Sequence, residues 1–378
     1  MPRMFDILRN NGQNKPEDKE EKPLPQEKSS GPREENGENL SKPSLNFPKI
    51  ILKEEVKQED KESQDHSLVS KKLILAVKHR GIDDREKSSQ TFQDTVETIN
   101  ILLEKVRAQD DLCGYMDKIY ACLDTLFNQL ILGDSILENI YRKEEDGEYY
   151  LPFHITKVLI LSSVIGINMG LNKSTLNHLG LAAVFSDVGL DFLREITLQR
   201  KKLTEEEYNL VKTHISKSLE ITKKITGIND VAKETIRMHH ERANGKGYPH
   251  FINSDGINPY AKIIGLVDTF TSITNNRPHR KGMSAHQAIR FLIGRLRDYF
   301  DPEVMKIFIN KLSVYPIGSI VRLDTQEFAK VISVQSGSPL RPVVMIIQDA
   351  CGEPVKEKII LDLSKQDSPS IEDPDSVI

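Results

Sequence analysis

The chain has 378 residues, 52 basic against 56 acidic side chains, a formal net charge of −4 and 38% hydrophobic residues. That length holds more than one folding unit, and the near-balanced charge excludes a global attraction for nucleic-acid polymers or an anionic membrane, so phosphate binding has to come from a local cluster. The three cysteines, Cys113, Cys122 and Cys351, include no Cys-x-x-Cys pair, which excludes a cysteine-based zinc or redox unit and points to a reduced, cytoplasmic protein.

In residues 1–66 Glu, Lys, Pro, Ser, Gly and Asn dominate, and such a composition buries too little apolar surface to offset chain entropy. A disordered tail is expected there, with Met4–Leu8 and Phe47–Leu52 as apolar patches that either dock on something or belong to a leader without a partner. Met1–Asn10 has no long apolar core, and the run Val158–Leu171 is broken by Ser162, Ser163 and Asn168, so neither secretion nor a membrane span is expected. Residues 67–148 read as a helical lead-in, with helical spacing from Thr91 through Ile99, Leu102, Leu103 and Val106, then from Leu112 to Leu132.

Residues 149–312 read as a helical bundle. Phe153–Gly170 is apolar nearly all round, as a helix buried on every side must be, and Leu179–Val188 is a second buried run. Thr204 and Glu207 form a capping box opening a helix to about Gly227. Asn229 or Asp230 caps the next helix, which ends at His239 and His240. Tyr260–Ile273 and Ala285–Asp298 follow, and Pro302 starts a last helix. After Tyr315 the period changes: Ser319–Leu323, Ala329–Val334, Pro342–Ile347 and Glu357–Leu363 alternate with turn residues, which predicts a small antiparallel β module over 313–364 and a frayed tail over 365–378. The fold class is thus all-α, a helical bundle with a C-terminal β module and a disordered N-terminal tail.

The residues suited to chemistry lie in the bundle. Adjacent imidazoles at the end of an apolar helix carry four nitrogens that need partners, and metal coordination is the leading reason for His239 and His240. Asp268 sits inside the apolar run Ile263–Phe270, where an ionised carboxylate needs a counter-charge or a metal. Asp187 closes a buried run and reads as a ligand or as a helix-end residue. His214 and His154 read singly as imidazoles bonded to main-chain carbonyls, or as ligands. Together these six make a mixed nitrogen and oxygen set suited to iron, manganese or zinc and unlike the all-oxygen sets of calcium.

The order Tyr150-x-x-x-His154, Asp187-x-Gly189, Lys212-Thr213-His214, His239-His240-Glu241-Arg242-x-Asn244-Gly245-x-Gly247-Tyr248-Pro249, Asp268 and Asn276-Arg277-Pro278-x-Arg280 resembles the HD-GYP family of bacterial metal-dependent phosphohydrolases over about residues 149–312. The stretches Tyr315-Pro316-Ile317-Gly318 and Pro339-Leu340-Arg341-Pro342 resemble the tail often attached to that domain. The resemblance implies an HD-type helical fold holding one or two divalent metals (Fe, Mn or Zn) and acting on cyclic di-GMP or a related nucleotide, with signalling proteins as further partners. Carried over by position, His154 and Asp268 hold one metal, His214, His239 and His240 the other, and Asp187 bridges them. Arg277 and Arg280 match phosphate-holding positions, and Gly247, Tyr248 and Pro249 form a turn that lines the substrate channel or meets a partner protein.

The chain departs from the family pattern in four places. Ser186 stands where the family's His-Asp pair has its histidine. Leu190 stands where a lysine assists at the phosphate, Thr271 where a second aspartate is usual, and Asn244 replaces a frequent aspartate in the turn. A lost ligand and a lost cation act at the transition state, where about 1.4 kcal/mol is tenfold in rate. The expectation is a nucleotide- or partner-binding protein with weak or lost hydrolysis; the alternative is a working cyclic di-GMP phosphodiesterase.

Overall fold

The computed structural model describes residues 82–372 apart from 134, 142–148, 278–279, 313–314, 316, 335–337, 339, 356 and 366–367. The tail expected over 1–66, its patches Met4–Leu8 and Phe47–Leu52, and residues 373–378 lie outside the described residues.

Helix α1 (Ile82–Ala108) starts well before Thr91. Its inner face is apolar from Phe92 to Val106, but Ser88, Thr91 and Thr95 are also buried on it, so the apolar period fades where the helix continues. Ser88 and Ser135 share a hydrogen bond, and Gln129 donates to the Ser88 hydroxyl at 2.9 Å, which satisfies polar groups that burial would otherwise penalise. Helix α2 (Met116–Leu132) turns Ile119, Leu123, Leu126, Phe127 and Leu130 inward.

Helix α3 (Tyr150–Asn168) is the axis of the bundle, buried at every position from Tyr150 to Gly166. It has the length and apolarity of a membrane span, and 94% of that window is covered by the protein itself. Gly170, at φ +76°, ends it as expected: Leu171 N–H reaches back to Gly166 O at 3.0 Å, a closure that needs the left-handed conformation glycine tolerates. Helix α4 (Lys173–Phe185) is capped by Asn172, whose side chain accepts from Thr175 N–H. A 3₁₀ segment, Val188–Leu193, follows it.

The single helix expected from Thr204 to about Gly227 is two helices, α5 (Glu205–Lys212) and α6 (His214–Lys223). The capping box of Thr204 and Glu207 forms. At the break the Thr213 hydroxyl donates to Leu210 O at 2.7 Å and His214 Nδ1–H to Val211 O at 2.7 Å, so side chains take carbonyls near the end of α5 and the chain turns. Helix α7 (Asp230–Met238) is capped by Asn229 rather than Asp230. Helix α8 (Pro259–Thr274) opens with proline in its first turn and Asn258 as cap. Helix α9 (Ala285–Arg295) stops short of the expected Asp298 in a 3₁₀ turn, Arg297–Tyr299, and α10 (Pro302–Leu312) closes the bundle.

Four strands, β1 (Ile320–Arg322), β2 (Phe328–Ser333), β3 (Val343–Gln348) and β4 (Ile360–Asp362), pair antiparallel in the order β1-β2-β3-β4. Their common core is Val321, Leu323, Ala329, Val331, Val344, Ile346 and Leu363. The expectation of a frayed tail from 365 does not hold as far as Glu372. Ile371 bridges Leu323, and Glu372 N–H donates to Arg322 O at 2.8 Å, because edge strand β1 has main-chain groups left to pair.

Candidate metal centre

Six side chains from five places in the chain converge where α3, α6, α7 and α8 meet. His154 lies in the second turn of α3, Asp187 follows α4, His214 opens α6, His239 and His240 end α7, and Asp268 sits in the middle of α8. Asp187, His214, His239 and His240 form one group, and His154, Asp187 and Asp268 a second; within each, the donor atoms lie within 4.8 Å of one another. Asp187 belongs to both. All are buried except His240, whose side chain is 13% exposed and marks the mouth of the centre.

Local hydrogen bonds fix the tautomers. His214 Nδ1 is 2.7 Å from Val211 O and His239 Nδ1 is 2.7 Å from Ile236 O; a carbonyl only accepts, so both Nδ1 atoms carry the proton. The two Nε2 lone pairs then face each other at 3.4 Å, and both face Asp187 Oδ1, at 3.5 and 3.9 Å. Lone pairs and a carboxylate aimed at one buried point repel unless a cation sits between them, and this donor set fits a divalent metal. Burial, together with neighbouring imidazoles, holds the pKa values of His239 and His240 below the ordinary histidine value, which keeps them neutral as ligands must be.

The second group has a different balance. His154 Nε2 lies 3.2 Å from Asp187 Oδ2 and 3.1 Å from Asp268 Oδ1. Burial pulls the His154 pKa down, but its bonds to the two carboxylates outweigh this and raise it. Burial likewise pushes Asp187 up, and the His154 bond with the charges of the surrounding imidazoles carries it well below the carboxylate range. A proton thus competes with any metal for His154.

The four positions that depart from the family pattern stand outside the two donor groups. Ser186 is fully buried and its hydroxyl donates to Ala183 O at 3.2 Å, back along α4. Leu190 is packed at 9% exposure. Thr271 is buried, with Oγ1 lacking a hydrogen-bond partner among the described residues. Asn244 donates to Asp298 Oδ2 at 3.0 Å and accepts from Lys246 N–H, so it shapes the turn.

The glycine turn is held by Glu241, to which the sequence reading assigned no role. Its carboxylate accepts from His250 N–H at 2.6 Å and Ile252 N–H at 3.0 Å. At Gly247 an added Cβ would lie 2.4 Å from Arg242 N and Glu241 Cα, so only glycine lets the turn fold back on itself. The Tyr248 ring stacks on His240 with centroids 4.6 Å apart, and Pro249 is exposed beside it. The turn therefore lines the mouth of the centre.

The two arginines have parted company. Arg277 lays its guanidinium over the Tyr150 ring at 3.7 Å. Arg280 donates to the carbonyls of Ser272 and Ile273, closing the C-terminus of α8; burial, then the neighbouring Arg277, lowers its pKa to about 10. Arg280, expected at a ligand phosphate, thus gives its two terminal nitrogens to helix-end carbonyls.

A further set of contacts was hidden from the sequence. Asp191, with no side-chain exposure, is ion-paired with Arg107, its Oδ2 lying 2.7 Å from Nε, and its Oδ1 accepts from the Tyr149 hydroxyl at 2.8 Å. The carboxylate breaks an apolar run, which is a signal, but its partners lie more than forty residues away.

Residues 143–304 match the family model described as an HD domain, and residues 320–376 match a KOW domain associated with HD domain. A cyclic di-GMP phosphodiesterase of Pseudomonas aeruginosa is 26% identical over 240 residues, 63% of this chain and 58% of that protein. A cyclic di-GMP phosphodiesterase of Borreliella burgdorferi is 27% identical, covering 58% of this chain and 56% of its own. A 3'3'-cGAMP-specific phosphodiesterase of Vibrio cholerae is 28% identical over 50% of this chain and 42% of its own. The chain thus spans less than two thirds of the length of these relatives. Among solved structures, an HD-GYP-type protein of Bdellovibrio bacteriovorus aligns with TM-score 0.49 and 15% identity over 64% of this chain and 76% of its own. Residues 143–304 thus carry an HD domain, and over that region the chain is similar to cyclic-dinucleotide phosphodiesterases.

Proposed function

We propose that the centre binds divalent metal and a cyclic dinucleotide of the cyclic di-GMP class, and that it hydrolyses this ligand far more slowly than an intact family member. The observation that carries the reading is Asp187 shared between two ligand groups, the arrangement a phosphodiester centre needs. Divalent ions held there supply Lewis acidity and an activated water. His214, His239 and His240 keep one group complete. The other is reduced to His154, Asp268 and the shared carboxylate, since Ser186 turns back to Ala183 O and Leu190 offers no cation. The turn at Gly247–Pro249 and Arg277 on Tyr150 flank the ligand. Slow turnover suits a signalling protein that acts by holding its nucleotide or a partner protein. The three unpaired cysteines accord with a cytoplasmic setting.

The convergence of His154, Asp187 and Asp268 favours a second reading, a working phosphodiesterase in which three ligands suffice. Elemental analysis after growth with iron, manganese and zinc, calorimetric titration with cyclic di-GMP, and chromatography of the linear product separate the readings. Metal and nucleotide binding with little product is expected. A metal-free protein sinks both readings, and turnover equal to an intact relative establishes the second.

A further inference from the structure

A phosphodiester seated at Asp187 brings negative charge that cations beyond the metals have to meet, and the two arginines and the position of the absent lysine supply little. Leu190 is apolar and packed, and Arg280 is engaged by helix-end carbonyls. Arg277 stands on one flank, at the C-terminal end of α8. Another cation stands beside the glycine turn. Lys212 is the last residue of α5, two positions before His214 and just ahead of the break at Thr213.

The Lys212 ammonium lies 4.6 Å from the centroid of the Tyr208 ring and 5.6 Å from that of Tyr248. Tyr248 in turn stacks on His240, at 4.6 Å and 22° between planes. The ammonium is therefore one aromatic ring away from a member of the complete ligand group, at the mouth marked by His240. It is half-buried, and its polar contact is a neutral one, Asn209 Oδ1 at 3.1 Å. Among the described residues no carboxylate pairs with it. A partly desolvated ammonium held over two ring faces, with no counter-charge, is poised for an anion, and its four-carbon stem lets it swing past Tyr248 to reach one.

We propose that Lys212 is a phosphate-contacting residue of this centre, supplying from α5 the charge that Leu190 cannot supply. The proposal rests on the reading of the centre as a phosphodiester site. The competing role for Lys212 is purely structural, pinning α5 to the turn through the two rings.

The test uses the full chain loaded with Mn²⁺, titrated calorimetrically with inorganic phosphate and separately with cyclic di-GMP, for the parent, Lys212→Met and Lys212→Arg. Loss of one charge-assisted hydrogen bond predicts about tenfold weaker phosphate binding in Lys212→Met, with metal content and Tm unchanged. Lys212→Arg restores most of the affinity, and the parent's affinity falls more steeply with salt than that of Lys212→Met. Equal phosphate affinity in parent and Lys212→Met overturns the proposal, as does a loss that tracks a fall in Tm and is not rescued by arginine. If the parent binds no cyclic di-GMP yet its phosphate affinity still depends on Lys212, the nucleotide reading fails and the Lys212 assignment stands. If the loaded parent binds neither ligand, the assignment is overturned.

Discussion

Asp187 and Gly189 show how closely single residues define this centre. Asp187 is the carboxylate common to both ligand groups, so Asp187→Asn should empty both, read as metal per chain by elemental analysis; retained metal would place the ions elsewhere. Gly189 lies so close to α6 that an added Cβ would sit 2.2 Å from His214 O and 2.9 Å from Ser218 N. Main-chain atoms cannot swing aside, so Gly189→Ala should cost about 1–3 kcal/mol in urea unfolding and displace His214 enough to lower metal affinity. The paired change Ser186→His with Leu190→Lys should raise cyclic di-GMP hydrolysis if those two positions limit it. No gain would shift the limit to Thr271 or to loop geometry. The six candidate ligands were legible in the sequence because His239-His240, Asp268 and their neighbours are chemically unusual where they stand. The fate of Arg280 was not, since an arginine after a helix reads alike whether it meets a phosphate or the helix's own carbonyls.

Between elements, two carboxylates act as ties. Asp191 joins the last turn of α1, through Arg107, to Tyr149, the residue that caps α3, and does so four residues after Asp187. The lead-in helix is thereby fastened to both the helix of His154 and the segment behind Asp187. Arg107→Met leaves Asp191 buried without its cation and should destabilise the chain by about 3 kcal/mol in urea unfolding. Metal affinity should fall with it, and unchanged metal affinity would show that the lead-in does not position the site. Glu241 ties the glycine turn to the end of α7, so Glu241→Gln should weaken two charge-assisted bonds and loosen Tyr248 from His240. Limited proteolysis at residues 245–252 measures that loosening. Helix existence was readable from period and caps, as at Thr204 and Asn229. The division at Thr213 was not, because it depends on side chains taking carbonyls that a periodic pattern assigns to the helix ladder.

For the molecule as a whole, helices far apart in the chain are pressed together around a point where imidazole lone pairs and carboxylates meet. A metal held there would relieve that opposition and bind only the folded chain, so chelation should lower Tm, by an amount equivalent to about 2.7 kcal/mol if free metal had stood at one hundred times its Kd. A Tm indifferent to chelator would argue against a resident metal. The sequence by itself determined the helical bundle, the β module that follows it, the six candidate ligands and the resemblance to a family, because periodicity, caps and motif spacing are properties of neighbouring residues. Tertiary structure alone decided that the His214 and His239 lone pairs oppose each other, that Arg280 closes α8, that Asp191 reaches Arg107, that residues 370–372 return to β1, and that Lys212 stands one ring from His240. Each of these is a meeting of groups whose separation is set by how helices and strands pack, and packing distances are written in no local stretch of the chain.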